Sequence, residues 1–199
     1  MNIYDNYPDR VECEGRVYKL NFAYDRVLRC LDIQTDPVLT TRDKVEVQTE
    51  LLIIRPPKAF AERLKVLQAA LELIPKGDGK STERFIDFHQ DAKIIRSAFF
   101  RIGVDLLKDK IHFLQFLELL ADLPKDTALM RVVDIRSKPI PAPTEHNREY
   151  IKALTEAKAR VAIRYSEQEA QERFMQALKN STIGRGEKPD DRCRRQNSI

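Results

Sequence analysis

Ile111-His112-Phe113-Leu114-Gln115-Phe116-Leu117-Glu118-Leu119-Leu120, then Pro124-Lys125-Asp126-Thr127, then Leu129-Met130-Arg131-Val132-Val133-Asp134-Ile135-Arg136-Ser137 is the stretch that decides the fold class. Phe113, Phe116, Leu117 and Leu120 recur at i, i+3, i+4 and i+7, the spacing of one helix face. Pro124 to Thr127 punctuates the chain, and Asp126 or Thr127 caps a second helix that turns Leu129, Val132 and Val133 inward. The one titratable ring among these aromatics is His112. Two apolar helix faces and no reactive cluster predict packing rather than a reaction centre, in a mainly α protein.

The same spacing extends on both sides. Upstream, Val11-Glu12-Cys13 and Val17-Tyr18-Lys19-Leu20 alternate in polarity around Glu14-Gly15, which predicts a tight β-hairpin with the glycine at positive φ. Asn21 then caps a first helix through Ala23, Val27, Cys30 and Leu31, which Asp36-Pro37 ends. Thr40 and Asp43 approximate a capping box for a second helix reaching Ile54. After Pro56-Pro57, the side chains of Phe60, Leu64, Leu67, Leu71 and Ile74 form one stripe, which Pro75 ends. The polar stretch from Pro75 to Glu83 is a loop between a front and a back half. Asp87 caps a helix with Ile95, Ala98, Phe99 and Ile102 on one face, and Gly103 stands where a terminating glycine belongs.

Downstream, Pro139, Pro141 and Pro143 make a stiff connector. Beyond it Tyr150, Leu154, Ala157 and Val161 form a thin stripe of the kind that meets a partner helix. Ser166 and Glu169 open a last helix carrying Ala170, Phe174, Ala177 and Leu178. From Gly184 to Ile199 the chain has too little apolar content to offset the entropy of ordering it. The expected architecture is therefore a multi-helix bundle preceded by a short N-terminal β-hairpin, with a helical C-terminal extension and a disordered tail. Its divisions fall at 1–138 for hairpin and helical core, 139–181 for connector and C-terminal helices, and 182–199 for the tail.

Composition excludes several function classes. Thirty-five basic against 31 acidic side chains leave a formal charge of only +4, too weak for the electrostatic footprint of a nucleic-acid binder despite a pI near 8.9. Cys13, Cys30 and Cys193 are odd in number and widely separated, which suits neither a disulfide framework nor a zinc site and implies a reducing cytoplasm. The N-terminus lacks a secretory pattern and no apolar run is long enough to span a bilayer.

Candidate chemistry weakens on inspection. Gly79-Lys80-Ser81 lacks the first glycine of a phosphate loop, since Ile74 holds that place, and a helix precedes it where a strand is required. Asp87, His89 and Asp91 alternate, so on a helix they point apart rather than converge on a metal. His112 and His146 have no nucleophile at recognisable spacing. Phe85, Phe88, Phe99, Phe100, Phe113 and Phe116 sit among Ile and Leu without the basic groove that base stacking uses. No catalytic, cofactor-binding or metal-ligating residue is assigned. The candidates for a protein partner are Phe113, Phe116, Leu117 and Leu120 on the aromatic helix and Tyr150, Leu154 and Val161 on the thin stripe.

One set of segments, in order, is similar to a known family. It comprises Tyr7-Pro8 before Val11 to Asn21, Asp87-Phe88-His89-Gln90-Asp91 before Ile94-Ile95, Gly103-Val104-Asp105-Leu106, the His112 to Leu120 helix, and Arg136-Ser137. Together they resemble the bacteriophage gene-product-fifteen family of long-tailed phages and prophages of Gram-positive bacteria, from the hairpin to the end of the last helix. The family usually has tryptophan in the helix after the histidine, where this chain has Phe113 and Leu114 and no tryptophan anywhere. The resemblance implies a non-enzymatic tail assembly chaperone without cofactors. It would bind the tape-measure protein, recruit tail-tube subunits, and act in the host cytoplasm without entering the mature virion, with self-association left open. The alternative is a structural virion protein such as a tail connector or tail-completion subunit.

Overall fold

Nine elements follow from the sequence in a computed structural model that describes residues 6–75 and 84–165. Strands β1 (Arg10–Cys13) and β2 (Arg16–Lys19) come first. They are followed by helices α1 (Tyr24–Thr35), α2 (Thr41–Leu52), α3 (Phe60–Glu72), α4 (Ala92–Arg101), α5 (Phe113–Ala121), α6 (Ala128–Ser137) and α7 (Arg148–Val161). The protein is mainly α with an N-terminal antiparallel hairpin, as the periodicities predict. The chain divides into two compact units, Met1–Val161 and Ala162–Ile199, and all nine elements lie in the first. The helix expected after Ser166, the tail from Gly184 and most of the Pro75 to Glu83 loop lie outside the described residues.

The hairpin pairs Arg10 with Lys19, Val11 with Tyr18, Glu12 with Val17 and Cys13 with Arg16. Its two-residue turn takes positive φ at both Glu14 (51°) and Gly15 (73°), the handedness that matches strand twist. Sequence reasoning assigned that strain to the glycine alone. Tyr18, half-buried against the core, donates its hydroxyl proton to Glu62 of α3 at 2.5 Å, and Arg16 pairs with the same carboxylate at 3.0 Å.

Asn21 is not a helix cap. The chain stays extended past β2, because both edges of this stretch find backbone partners: the Asn21 amide donates to Leu52 O and the Ile54 amide to Lys19 O. Phe22 O accepts from the Phe113 amide, and the Tyr24 amide donates to Ile111 O. Helix α1 therefore starts only at Tyr24, with Ala23 in the N-cap position. The same pairing ends α2 at Leu52 rather than Ile54. Inside α1, Val27 and Cys30 are fully buried while Leu31 is exposed.

The Thr40 capping box forms as expected, with the Asp43 amide donating to Thr40 Oγ1 at 3.2 Å and the Thr40 amide donating back to Asp43 at 3.3 Å. On α3 the apolar stripe is rotated from its expected position. Phe60 and Leu64 are exposed, and the buried side chains are Val66, Leu67 and Ala70. Leu71 and Ile74 of the expected stripe pack half-buried against the core. Exposed Phe60 carries the Arg42 guanidinium over its ring at 5.5 Å.

Helix α4 begins after a turn. Asp87 accepts from the His89 and Gln90 amides at 2.9 and 2.7 Å, so it caps that turn, and regular helix starts at Ala92. At the other end the Gly103 amide donates to Phe100 O and the Val104 amide to Phe99 O, the paired bonds of a Schellman motif, with Gly103 at φ 87°. Helix α6 is capped by Thr127, which accepts from the Met130 amide at 3.3 Å, while Asp126 pairs with Arg101. Leu129 is fully buried, and Val133 packs against the core half-buried.

Aromatic rings converge at the centre. Phe116 lies 5.0 Å from the rings of both Tyr24 and Phe99, 5.9 Å from Phe88 and 6.4 Å from Phe113. This cluster brings together α1, α4, α5 and the turn before α4. Burying several rings in one place concentrates apolar area where a chain with no tryptophan has most to gain.

Candidate functional site

The two expected partner surfaces have different positions in the fold. Phe113 and Phe116 are buried in the aromatic centre, and Leu117 and Leu120 pack half-buried against it. A partner reaching the first two would have to open the core. On α7, Leu154 is buried, Val161 half-buried and Tyr150 exposed. Leu154 faces α6 but falls outside the contiguous core cluster, so α7 is seated on the bundle rather than inserted in it.

What seats α7 is polar, and it centres on a residue that periodicity alone passed over. Arg136 and Asp91 form a two-pronged ion pair at 2.5 and 2.9 Å, their side chains 6% and 5% exposed. The same guanidinium donates to Phe85 O at 2.8 Å and to Val161 O at 2.6 Å, the latter at the negative end of the α7 dipole. Lys158 of α7 returns a bond to Arg136 O at 2.7 Å. Burial raises the cost of charging Asp91, but Arg136 and the Asp87 amide outweigh it and hold the carboxyl below its ordinary value. A sequence signal did exist: Leu129, Val132, Val133 and Arg136 step i, i+3, i+4, i+7, so the arginine occupies an apolar position. Asp91 stands likewise in phase with Ile95 and Ala98.

His112 is also structural. It is the N-cap of α5: its Nδ1 accepts from the Leu114 amide at 3.2 Å, which leaves the proton on Nε2, 3.2 Å from Pro8 O. The ring stacks between Tyr7 at 4.9 Å and Phe22 at 5.6 Å. Burial pushes its pKa down, with Pro8 O and nearby carboxylates partly opposing. Asp87, His89 and Asp91 do not converge on one point. Asp87 caps a turn and pairs with Arg84, His89 donates to Asp32 of α1 at 2.9 Å, and Asp91 holds Arg136. Cys30 is buried, its thiol pushed up to about 12 by desolvation, so thiolate is scarce at neutral pH.

The surface carries the apolar side chains that remain. Val38 is 86% exposed, Leu107 75% and Phe100 70%. An open groove of ≈ 580 Å³ runs along α6, lined by Lys125, Met130, Arg131, Val133, Asp134, Ile135 and Ser137. Among the described residues no helix is long and apolar enough to cross a membrane.

No curated protein and no solved structure matches the chain significantly. The family described as Bacteriophage Gp15 protein does match, over residues 3–163, a span that takes in the hairpin, all seven described helices and both partners of the buried ion pair. By that match the chain belongs to the bacteriophage Gp15 protein family.

Proposed function

We propose that this protein is a non-enzymatic tail assembly chaperone that binds the tape-measure protein in the host cytoplasm, helps recruit tail-tube subunits, and leaves before the virion is complete. The observation that carries the reading is the family match across residues 3–163. The placement of the ionisable groups supports it. Asp91, Arg136, His112 and Cys30 are tied into caps, clamps or packing, and the conspicuous unused features are exposed apolar side chains on helices and loops. A long client rich in amphipathic helices is kept soluble by many weak contacts of this kind, which add through effective concentration without one dominant hot spot.

The test is co-expression with the cognate tape-measure protein. The expected outcome is a soluble client that elutes with this chain at a size neither reaches alone. Unchanged solubility and elution would refute the chaperone role. Mass spectrometry of purified virions separates the structural alternative, because a connector subunit would appear there at fixed stoichiometry and a chaperone at trace level at most.

A further inference from the structure

The outer face of α4 differs from that of the other described helices. Lys93, Arg96, Ser97 and Phe100 stand at i, i+3, i+4 and i+7, and all four are exposed. Alone among the seven described helices, α4 contains no acidic residue. Its third cation, Arg101, is paired with Asp126, but Lys93 and Arg96 join no ion pair among the described residues. The one side-chain bond of Arg96 runs from Nε to the Ala92 carbonyl of its own helix. Some exposed charges elsewhere on the surface are matched, as in Arg42 with Glu46 and Lys65 with Glu14. Here a large aromatic ring, 70% exposed, shares a stripe with two unmatched positive charges.

From this juxtaposition we infer that the outer face of α4 is a docking surface for an acidic amphipathic helix of a partner protein. The inference rests on the chaperone reading and specifies the client chemistry. Charge complementarity selects the occupant. Phe100 takes an apolar side chain, and the two cations take carboxylates about 6 Å and about 10 Å along the helix, one and two turns away. A client segment that repeats an apolar residue with Glu or Asp four and seven positions on presents the matching stripe. Two cations on one helix are too few for a nucleic-acid backbone, which demands a longer positive track.

The test uses the full chain and two probes. One is a fluorescent helical peptide of three heptads with leucine and glutamate in that spacing, alongside a copy carrying lysine for glutamate; the other is the co-expressed tape-measure protein. The wild type binds the glutamate peptide, more weakly as salt rises from 50 to 300 mM, and does not bind the lysine copy. Lys93→Glu with Arg96→Glu weakens binding about tenfold, as two reversed exposed pairs should. Phe100→Ser weakens it comparably, Phe100→Leu restores most of it, and Val38→Ser leaves it unchanged although Val38 is more exposed. The inference is overturned if the wild type binds neither peptide, if the α4 variants bind like the wild type, if a 20-base-pair DNA competes as well as the peptide, or if Phe100→Ser acts by dissolving a homodimer. With the client, wild-type rescue that survives the α4 variants removes this surface and leaves the chaperone role. Peptide binding through α4 without client rescue removes the role and leaves the surface.

Discussion

The aromatic centre and the α7 seam hold the same unit together by opposite means. At the centre, Phe116 meets Tyr24, Phe88, Phe99 and Phe113 through ring contacts alone, with little directional demand. At the seam, α7 buries a single leucine and depends on one guanidinium that reaches Asp91, Phe85 and Val161. The first arrangement tolerates repacking and stabilises by area; the second fixes one position and fails if either charge is lost.

Four changes break or sharpen that contrast. Phe116→Ala should have the largest effect, destabilising the unit by about 4 kcal/mol through lost contact and a central cavity. Denaturant unfolding followed by far-UV circular dichroism measures it, since the chain has no tryptophan to report. Arg136→Met should cost about 3 kcal/mol because it strands the Asp91 carboxylate, and adding Asp91→Leu should recover most of the loss. No such second-site recovery is available to Phe116→Ala. A pair of changes that fails to recover would show that the seam owes its stability to specific hydrogen bonds rather than to charge compensation.

Gly103→Ala should cost about 1 kcal/mol, purely from the positive φ at the end of α4, because the space around the new methyl is open. The subtlest effect is a slope. The His112 pKa is lowered in the folded protein, so the unfolded chain binds protons more readily as pH falls through the ordinary histidine value near about 6.5. Stability contributed by neutral His112 is present above that value and lost on the acid side. His89, raised by its bond to Asp32, acts with the opposite sign: its contribution is present at low pH and lost as pH rises through its folded value. His112→Asn keeps a capping oxygen without the titration. In unfolding curves between pH 5 and 8 it should remove the acid-side loss and leave the His89 trend.

Much of the fold was legible because its elements obey local rules. The Thr40 to Asp43 box, the Gly103 terminator, the Thr127 cap and the α5 stripe each declare themselves within a few residues. The failures have a common cause in long-range pairing. Asn21 resembles a cap but lies in a segment whose amides and carbonyls are taken by α2 and by the approach to α5, and Phe60 and Leu64 share a period with Leu67 yet face outward. Of the expected partner surfaces, sequence could find the stripes but not their exposure. Phe113 and Phe116 are internal, and the Lys93, Arg96 and Phe100 face was missed because the helix expected from an Asp87 cap includes Asp91; it is acid-free only because it starts at Ala92. The phage connection came from the order of segments, which no single motif carried.

The extended passage from Lys19 to Tyr24 has a consequence for how the protein is made. Its first edge is satisfied once Leu52 and Ile54 have been synthesised, its second only when Ile111 and Phe113 follow. Throughout the translation of α3 and α4, a nascent chain carries an open strand edge that another nascent copy on the same message could claim. Chains stopped at Arg101 should therefore self-associate in sedimentation, and a short peptide spanning Ile111 to Phe113 should compete with that association.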